Sequence, residues 1–358
     1  MIKTLAFMLT VLFTFSATGF AQPFAYIANS GTNNVSVIDT STNTVATTVN
    51  VGVEPISAAV TPDGKFAYVT NFSSDNVSVI DTSTNTVITT IDVGTGPFGV
   101  AVSPDGKFAY VSNDTSEILS VIKTSTNTVV DTVGVGKGSR VVVVTPDSRF
   151  VYVVNEFSNN ISVINALNRT AVRTVPVGTN PLAAAVTPDG RFVYVTNTIP
   201  NNVSVIRTST NTVVATVDVG SEPSGAVVTP DGEFVYVTNA GSNNISVIDT
   251  FTNTVVNTIN VGNVPGGMAI TPDGKFIYVA NFASHNVSVI DTSTNTVVDT
   301  VGVGTFPFAY GIFIVPPPLP PPPPPPMVPT LNEWGLIAMA GILGIVGLMV
   351  MRRRKVTA

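Results

Sequence analysis

In a unit that repeats along this chain, two of the loops between predicted strands carry side chains whose types suit the binding of a ligand or partner. Arg140, Glu156 and Asp114 bring both signs of charge to these connections. Aromatic residues accompany them, and aromatic surface beside charged groups is typical of a binding site. These aromatic residues are Phe72, Phe98, Phe282 and Phe308. The alternative is ordinary variation of solvent-exposed loops, with the phenylalanines packed between neighbouring units.

Residues suited to catalysis are scarce. The chain has one histidine, His285, and no cysteine. A nucleophilic triad needs a base held by a third group, and we expect His285, in a variable loop, to be a plain surface residue. We therefore expect no catalytic residue, no cofactor and no metal. The repeated turn at residues 39–43 offers oxygen ligands for calcium, but Lys123 and Arg207 replace its aspartate in two copies, and Asx or Ser/Thr turns explain it.

A strict 42-residue repeat positions these side chains. Seven copies fill residues 22–315, and each carries one tyrosine at the same place. The tyrosines are Tyr26, Tyr68, Tyr110, Tyr152, Tyr194, Tyr236 and Tyr278. Such a register is typical of repeat architectures, in which a single unit cannot bury its apolar face alone.

The unit at residues 99–140 shows four stretches with strand character, at 99–103, 108–113, 118–122 and 128–135. Turn sequences rich in Pro, Asp, Gly, Ser, Thr and Asn separate them. Four short antiparallel strands in about 40 residues predict one propeller blade. The predicted fold is all-β, a seven-bladed β-propeller of four-stranded antiparallel blades, in which the first strand of each unit is innermost because its residues are small.

The two ends of the repeat region predict how the ring closes. The region starts at a second strand, residues 24–29, and its last segment, residues 308–314, aligns with a first strand. Three N-terminal strands plus one C-terminal strand then complete one blade. This closure removes the unpaired sheet edges that invite aggregation.

Differences between the copies separate two rims of the ring. The turns after the first and third strands vary little, whereas the other two connections vary more. Alternate turns of a four-stranded meander lie on opposite rims, so we define a variable rim and a uniform rim. Arg140, Glu156, Asp114 and the four phenylalanines belong to the variable rim, where constant scaffold and varying loops favour a binding surface.

The charge balance excludes one class of partner. Residues 22–315 carry 21 acidic and 11 basic side chains, a net charge of −10. Such a surface repels phosphate backbones, so we expect no binding to nucleic acid.

The N-terminus predicts export. Residues 1–21 contain Lys3, an apolar run and the small residues Gly19 and Ala21 before Gln22, which is typical of a cleaved secretory signal peptide. The alternative, a permanent membrane anchor, is disfavoured because the apolar run is short.

The C-terminus predicts a stalk and a membrane segment. The proline-rich residues 316–327 favour an extended polyproline spacer over a docking site for a proline-binding module. Residues 328–358 contain a short motif, an apolar run at 336–351 predicted to form a transmembrane helix, and a basic tail. Cations after an apolar run stay cytoplasmic, so the propeller is expected outside, with the C-terminus cytoplasmic before any processing.

Two motifs, one within the repeat and one at the C-terminus, resemble those of known families. The Tyr-Val-Thr-Asn sequence at residues 68–71, repeated with variants in every copy, is similar to the YVTN-family β-propellers of secreted and surface-layer proteins. This resemblance implies a fold and not an activity. The tail resembles the IPTL-CTERM sorting signal of bacterial surface proteins, with Val328 where that motif has Ile. The residues that carry this resemblance are Pro329, Thr330, Leu331, Glu333 and Trp334.

The second resemblance implies recognition by an exosortase-type enzyme and at least transient membrane association. The alternative is a plain single-span anchor. We therefore expect an exported protein at the bacterial cell surface or outer envelope, serving as a binding or surface-structural module for a surface protein or glycan. The alternatives are a lactonase-like or other small-molecule enzyme with its site at the channel mouth, and a self-associating surface-layer component.

Overall fold

The computed structural model describes residues 24–311 and 313–315. The predicted signal peptide, proline-rich stalk, sorting motif and transmembrane helix lie outside these residues. Among the described residues, no helix combines the length and the apolar character needed to cross a membrane.

The described residues form seven four-stranded antiparallel sheets, which are the blades of a β-propeller. The predicted fold class is confirmed. Blade 1 contains β1 (Phe24–Asn29), β2 (Asn34–Asp39), β3 (Thr44–Asn50) and the last strand of the chain, β28 (Pro307–Phe308).

The other six blades follow one another along the chain, and a single 3₁₀ turn at Phe72–Ser74 interrupts the described strands. Their strands, in order, are β4 (Pro55–Val60), β5 (Phe66–Asn71), β6 (Asn76–Asp81) and β7 (Thr86–Asp92); β8 (Pro97–Val102), β9 (Phe108–Asn113), β10 (Ile118–Lys123) and β11 (Thr128–Gly134); β12 (Ser139–Val144), β13 (Phe150–Asn155), β14 (Asn160–Asn165) and β15 (Thr170–Pro176); β16 (Pro181–Val186), β17 (Phe192–Asn197), β18 (Asn202–Arg207) and β19 (Thr212–Asp218); β20 (Pro223–Val228), β21 (Phe234–Asn239), β22 (Asn244–Asp249) and β23 (Thr254–Asn260); and β24 (Pro265–Ile270), β25 (Phe276–Asn281), β26 (Asn286–Asp291) and β27 (Thr296–Gly302).

The first strand of each unit is innermost, because β4, β8, β12, β16, β20 and β24 pack against one another in ring order. Close approach explains their small residues: a Cβ on Gly267 would lie 2.0 Å from the carbonyl oxygen of Ala309 in the next blade. The second and third strands are almost wholly buried, whereas the fourth is exposed along most of its length. The core therefore lies between blades, where apolar faces cover one another.

A hydrogen bond between side chains joins six of the seven blades to the blade that follows. The Tyr26 hydroxyl of blade 1 donates to Oδ1 of Asn85, which lies in the turn between β6 and β7 of blade 2. The same bond joins five further pairs: Tyr68 and Asn127, Tyr152 and Asn211, Tyr194 and Asn253, Tyr236 and Asn295, and Tyr278 and Asn43. Opposite Tyr110 the asparagine is replaced by Arg169. The repeated tyrosine is therefore a core residue, and in six blades its hydroxyl also bonds to the next blade.

The ring closes within blade 1, where β28 pairs with β1 as predicted. Residues 308–314 were predicted to form one continuous strand, but the closing segment is irregular. Ala28 pairs with Phe308 and Ala25 pairs with Ile314, so the closing segment has three more residues between these two pairs than β1 has. The equivalent irregularity in β8 involves one extra residue. The extra residues include Tyr310 and Gly311, which leave the sheet and reach toward β4.

Candidate functional site

Arg140 is the centre of a charged group on the variable rim. It lies near the start of β12, while Asp114 directly follows β9 and Glu156 directly follows β13. Arg140 Nε donates to Glu156 Oε2 at 2.6 Å, and Arg140 Nη1 lies 3.3 Å from Asp114 Oδ2. The three side chains are only 15–19% exposed. The structure therefore brings together the three charged residues singled out from the sequence.

Two carboxylates share one guanidinium, which leaves this group with a formal charge of −1. Burial raises the pKa of Asp114, and the Glu156 carboxylate adds to that rise. Arg140 acts in the opposite direction, but its ion pair does not overcome the loss of solvent around Asp114. The carboxylate oxygens left partly exposed can accept hydrogen bonds from hydroxyl or ammonium groups of a partner.

Aromatic rings flank the guanidinium. The Cζ atom of Arg140 lies 4.6 Å from the ring centroid of Phe98 and 5.7 Å from that of Phe157. Phe98 was predicted as a contact residue of an open mouth, but it is 8% exposed and packs under Arg140. Phe157 is 61% exposed, so it offers a free aromatic face next to the charged group.

A buried tyrosine links Phe98 to the phenylalanines on the other side of the ring's seam. The ring of Tyr310 lies 5.6 Å from Phe98 and 6.1 Å from Phe308, and Phe308 lies 4.7 Å from Phe282. Phe72 packs, half-buried, against the same cluster. The predicted aromatic residues therefore form one contiguous group and not isolated loop residues.

Tyr310 was missed by sequence reasoning, although a signal existed. At the corresponding place the other copies have Ala58, Val100, Val142, Ala184, Ala226 and Met268. Its carbonyl oxygen accepts hydrogen bonds from the backbone N–H of Ala58, at 3.2 Å, and from the Ser57 hydroxyl. Burial holds the pKa of the Tyr310 hydroxyl well above its usual range, with Arg140 opposing that rise. A tyrosine at an aliphatic position of the repeat plugs the channel beneath the charged group.

A cavity of about 250 Å³ lies on the other side of this plug. Its wall is formed by residues toward the ends of β8, β12, β16, β20 and β24, together with Tyr310 and Gly311. These strand ends lead into the uniform turns. The channel is therefore divided into an aromatic and charged part on the variable rim and an open aliphatic part toward the uniform rim.

His285 lies apart from the charged group. Its Nδ1 accepts a hydrogen bond from the backbone N–H of Phe306 at 3.1 Å, and its ring packs edge-on against Phe306 at 4.9 Å. Within residues 24–311 and 313–315, no group of three or more histidine, cysteine, aspartate or glutamate side chains is arranged to hold a metal ion.

Comparison with protein families agrees with the propeller and with the C-terminal motif. A family described as "Lactonase, 7-bladed beta-propeller" matches residues 130–249 and 208–300. A YNCE-like β-propeller family matches residues 6–130, and the IPTL-CTERM motif matches residues 328–354. The resemblance to seven-bladed propeller repeats and to this sorting motif is confirmed. A propeller that carries the motif fits a secreted surface protein. No curated protein matches the chain significantly.

Solved structures with the same fold include two differently named proteins and one of unknown function. Hydrazine synthase of Kuenenia stuttgartiensis is 23% identical with a TM-score of 0.65, and the match covers 71% of this chain and 88% of that one. A functionally unknown protein from Desulfotomaculum acetoxidans is 19% identical with a TM-score of 0.71, over 79% and 97% of the two chains. The dihydro-heme d1 dehydrogenase NirN is 18% identical with a TM-score of 0.60, over 77% and 63%. At these identities the likeness shows the fold alone.

Proposed function

We propose that this chain is a propeller displayed at the bacterial cell surface that binds a surface glycan or protein through its variable rim. Two features support display: a propeller fold, and an IPTL-CTERM motif at residues 328–354. On the uniform rim, the turns after the first and third strands keep nearly the same sequences from blade to blade, while the variable rim differs. Variation concentrated on one rim of a constant scaffold supports a binding surface on that rim.

The observation that carries the binding proposal is the arrangement around Arg140. The guanidinium fixes the Glu156 and Asp114 carboxylates beside the exposed face of Phe157. Oriented carboxylates accept hydrogen bonds from hydroxyl groups, and an aromatic face stacks on apolar C–H surface or on cations. Since the group is net negative, its partner is neutral or cationic, such as an uncharged glycan or a basic protein surface.

A binding experiment with matched arginine variants tests this. The full chain and its Arg140→Ala and Phe157→Ala variants are applied to arrays of bacterial surface glycans and of surface proteins. Arg149→Ala is the control, because Arg149 lies on the uniform rim, is 72% exposed and pairs with Asp147 only at 4.0 Å. We expect affinity to fall at least about tenfold in the first two variants and to persist in the control. Equal binding by all four proteins contradicts a role for the variable rim.

We propose further that an exosortase-type enzyme processes the C-terminus and removes the membrane segment. The support is the match of residues 328–354 to the IPTL-CTERM motif. Cells that produce the intact chain or its Trp334→Ala variant are fractionated, and the C-terminus of each surface protein is measured by mass spectrometry. The intact chain is expected to lose the basic residues 352–355 and the variant to keep them. Retention of these residues by both proteins contradicts the sorting proposal.

A lactonase-like enzyme remains the second candidate, because a family of seven-bladed lactonases matches residues 130–249 and 208–300. The match includes Arg140 and Glu156, and Asp114 pairs with the same guanidinium, so the two carboxylates are the residues to test. Hydrolysis of a panel of lactones is measured with the full chain and its Glu156→Gln and Asp114→Asn variants. Turnover that either variant abolishes and that Arg149→Ala preserves favours the enzyme, whereas no turnover on any lactone of the panel favours the binding module.

A further inference from the structure

We propose that the aliphatic part of the central channel is a second binding site, which takes a small, uncharged, apolar molecule. This site is independent of the variable rim. Its wall includes Val142, Ala184, Ala226 and Met268, from four successive inner strands. The whole wall consists of alanine, valine, isoleucine, glycine, proline and methionine residues together with Tyr310.

The chemistry of the wall selects the ligand class. A buried charge without a partner is strongly disfavoured, and no side chain of the wall carries a compensating charge. The Tyr310 hydroxyl interacts with Arg140 and Glu156 on the side of the variable rim, so the polar atoms that the wall offers are backbone groups of the inner strands. An ionic ligand is therefore disfavoured, whereas a hydrocarbon or aromatic ring supplies van der Waals contacts that the wall atoms otherwise lack.

The volume is large enough for such a ligand. Folded proteins keep few internal voids, and apolar cavities of about 150 Å³ stay dry and take up benzene. The cavity here has about 250 Å³. It therefore accommodates a ring of benzene size with space remaining.

Tyr310 and Gly311 give the cavity a closed end. Gly311 has a φ of +102°, and a Cβ at this position would lie 2.6 Å from the carbonyl oxygen of Ala58 and 3.1 Å from that of Val100. Only glycine fits there, since both neighbours are backbone atoms of other blades. The loop is held in place by the hydrogen bond from Ala58 to Tyr310. A ligand thus enters from the uniform rim and meets a fixed floor, so the pocket is preformed.

Thermal unfolding with and without benzene tests the proposal on the full chain. Binding to the folded state raises the melting temperature with the logarithm of free ligand concentration, and we expect a rise of about 1 °C or more at high benzene. Ala184→Leu and Ala226→Leu fill the cavity and should remove this rise. The matched control is Ala46→Leu, because Ala46 is exposed on the outer strand β3. Arg140→Ala should respond like the unaltered chain, which separates this site from the rim.

The ε-methyl resonance of Met268 provides a second readout if the filled variants fold poorly. Benzene bound in the cavity shifts this resonance through its ring current, while the methyl of Ala46 stays unchanged. An unaltered Met268 resonance overturns the proposal, as does a benzene-induced rise in melting temperature that Ala184→Leu and Ala226→Leu both retain while folded.

Discussion

The hydroxyl of Tyr278 donates a hydrogen bond to Oδ1 of Asn43 across 2.6 Å, although 235 residues separate the two. This pair joins blade 7 to blade 1, at the seam of the ring. Tyr26 and Asn85, only 59 residues apart, make the same bond at the same 2.6 Å. Asn43 holds a φ of 53°, a conformation that asparagine tolerates better than most residues. The seam is thus fastened by the same contact as the blades that follow each other in the chain.

Tyr278→Phe is therefore expected to destabilise the propeller. The change removes the hydroxyl that donates to Asn43 Oδ1 and lies 3.3 Å from the Thr40 carbonyl oxygen, and it leaves the Asn43 oxygen short of a donor, at a cost of about 1 kcal/mol. Tyr110→Phe is the matched control, because Arg169 stands where Tyr110 would meet an asparagine. Urea denaturation measures both, and Tyr110→Phe should cost clearly less. Equal costs would show that the stabilisation comes from burial of the ring and not from the bond.

Removal of residues 306–315 is expected to abolish cooperative folding. Without β28, strand β1 presents an unpaired edge, and the core loses the fully buried Phe313 along with Ala309. Circular dichroism during heating measures the transition. A chain truncated after Val315 is the control and should keep its sharp melting transition. A sharp transition in the variant that lacks residues 306–315 contradicts closure by the C-terminal strand.

The repeat allowed the blade count, the innermost strand and the seam to be predicted, because strict spacing fixes which positions are equivalent. It did not predict the Tyr278–Asn43 bond, which depends on how far each blade is rotated against its neighbour. The burial of Phe98 also escaped prediction, since it depends on Tyr310, and Tyr310 has no counterpart in the other copies. Once one Tyr–Asn bond between blades is known, the repeat predicts the others, whereas a contact made once in the ring cannot be predicted from the repeat.

His285→Asn is expected to leave stability almost unchanged, within about 0.5 kcal/mol. His285 has a φ of 54°, and its Nδ1 accepts from the N–H of Phe306. In the preceding blade Asn243 has the same role, its Oδ1 accepting from Val264 at 2.8 Å. His285→Ala lacks the acceptor and keeps the unfavourable φ, so it should cost about 1–2 kcal/mol. Urea denaturation distinguishes the two variants, and equal losses would contradict a backbone-capping role for His285.

Acid is expected to destabilise the uniform turns. In the turn at residues 61–65, desolvation works to raise the pKa of Asp63, but hydrogen bonds from the Thr61 hydroxyl and the Lys65 N–H prevail and lower it. A lowered carboxyl pKa gives stability that is present above the unfolded pKa of about 3.9 and is lost as the pH falls through the folded pKa. Equivalent shifts occur at Asp105, Asp147, Asp189, Asp231 and Asp273.

The urea midpoint should therefore decline steeply between about pH 4 and pH 2, where these carboxylates become protonated. Asp63→Asn is the matched variant, because it cannot ionise. Its loss of stability relative to the unaltered chain should be largest near pH 6 and shrink as the pH falls. A difference between the two proteins that stays constant with pH contradicts the contribution of the ionised turn.

Asp114→Asn is expected to behave in the opposite way, although Asp114 is also paired with a cation. Burial and the Glu156 carboxylate together raise the pKa of Asp114, so its ionised form disfavours the folded state. Stability linked to this group is present below the unfolded pKa of about 3.9 and is lost as the pH rises through the folded pKa. Asparagine keeps the shape without the charge, so the variant should gain stability relative to the unaltered chain between pH 4 and pH 7. Urea denaturation at both pH values measures this change. A relative loss on raising the pH would show that the Arg140 ion pair outweighs desolvation on the variable rim, and that Asp114 stabilises the charged group it belongs to.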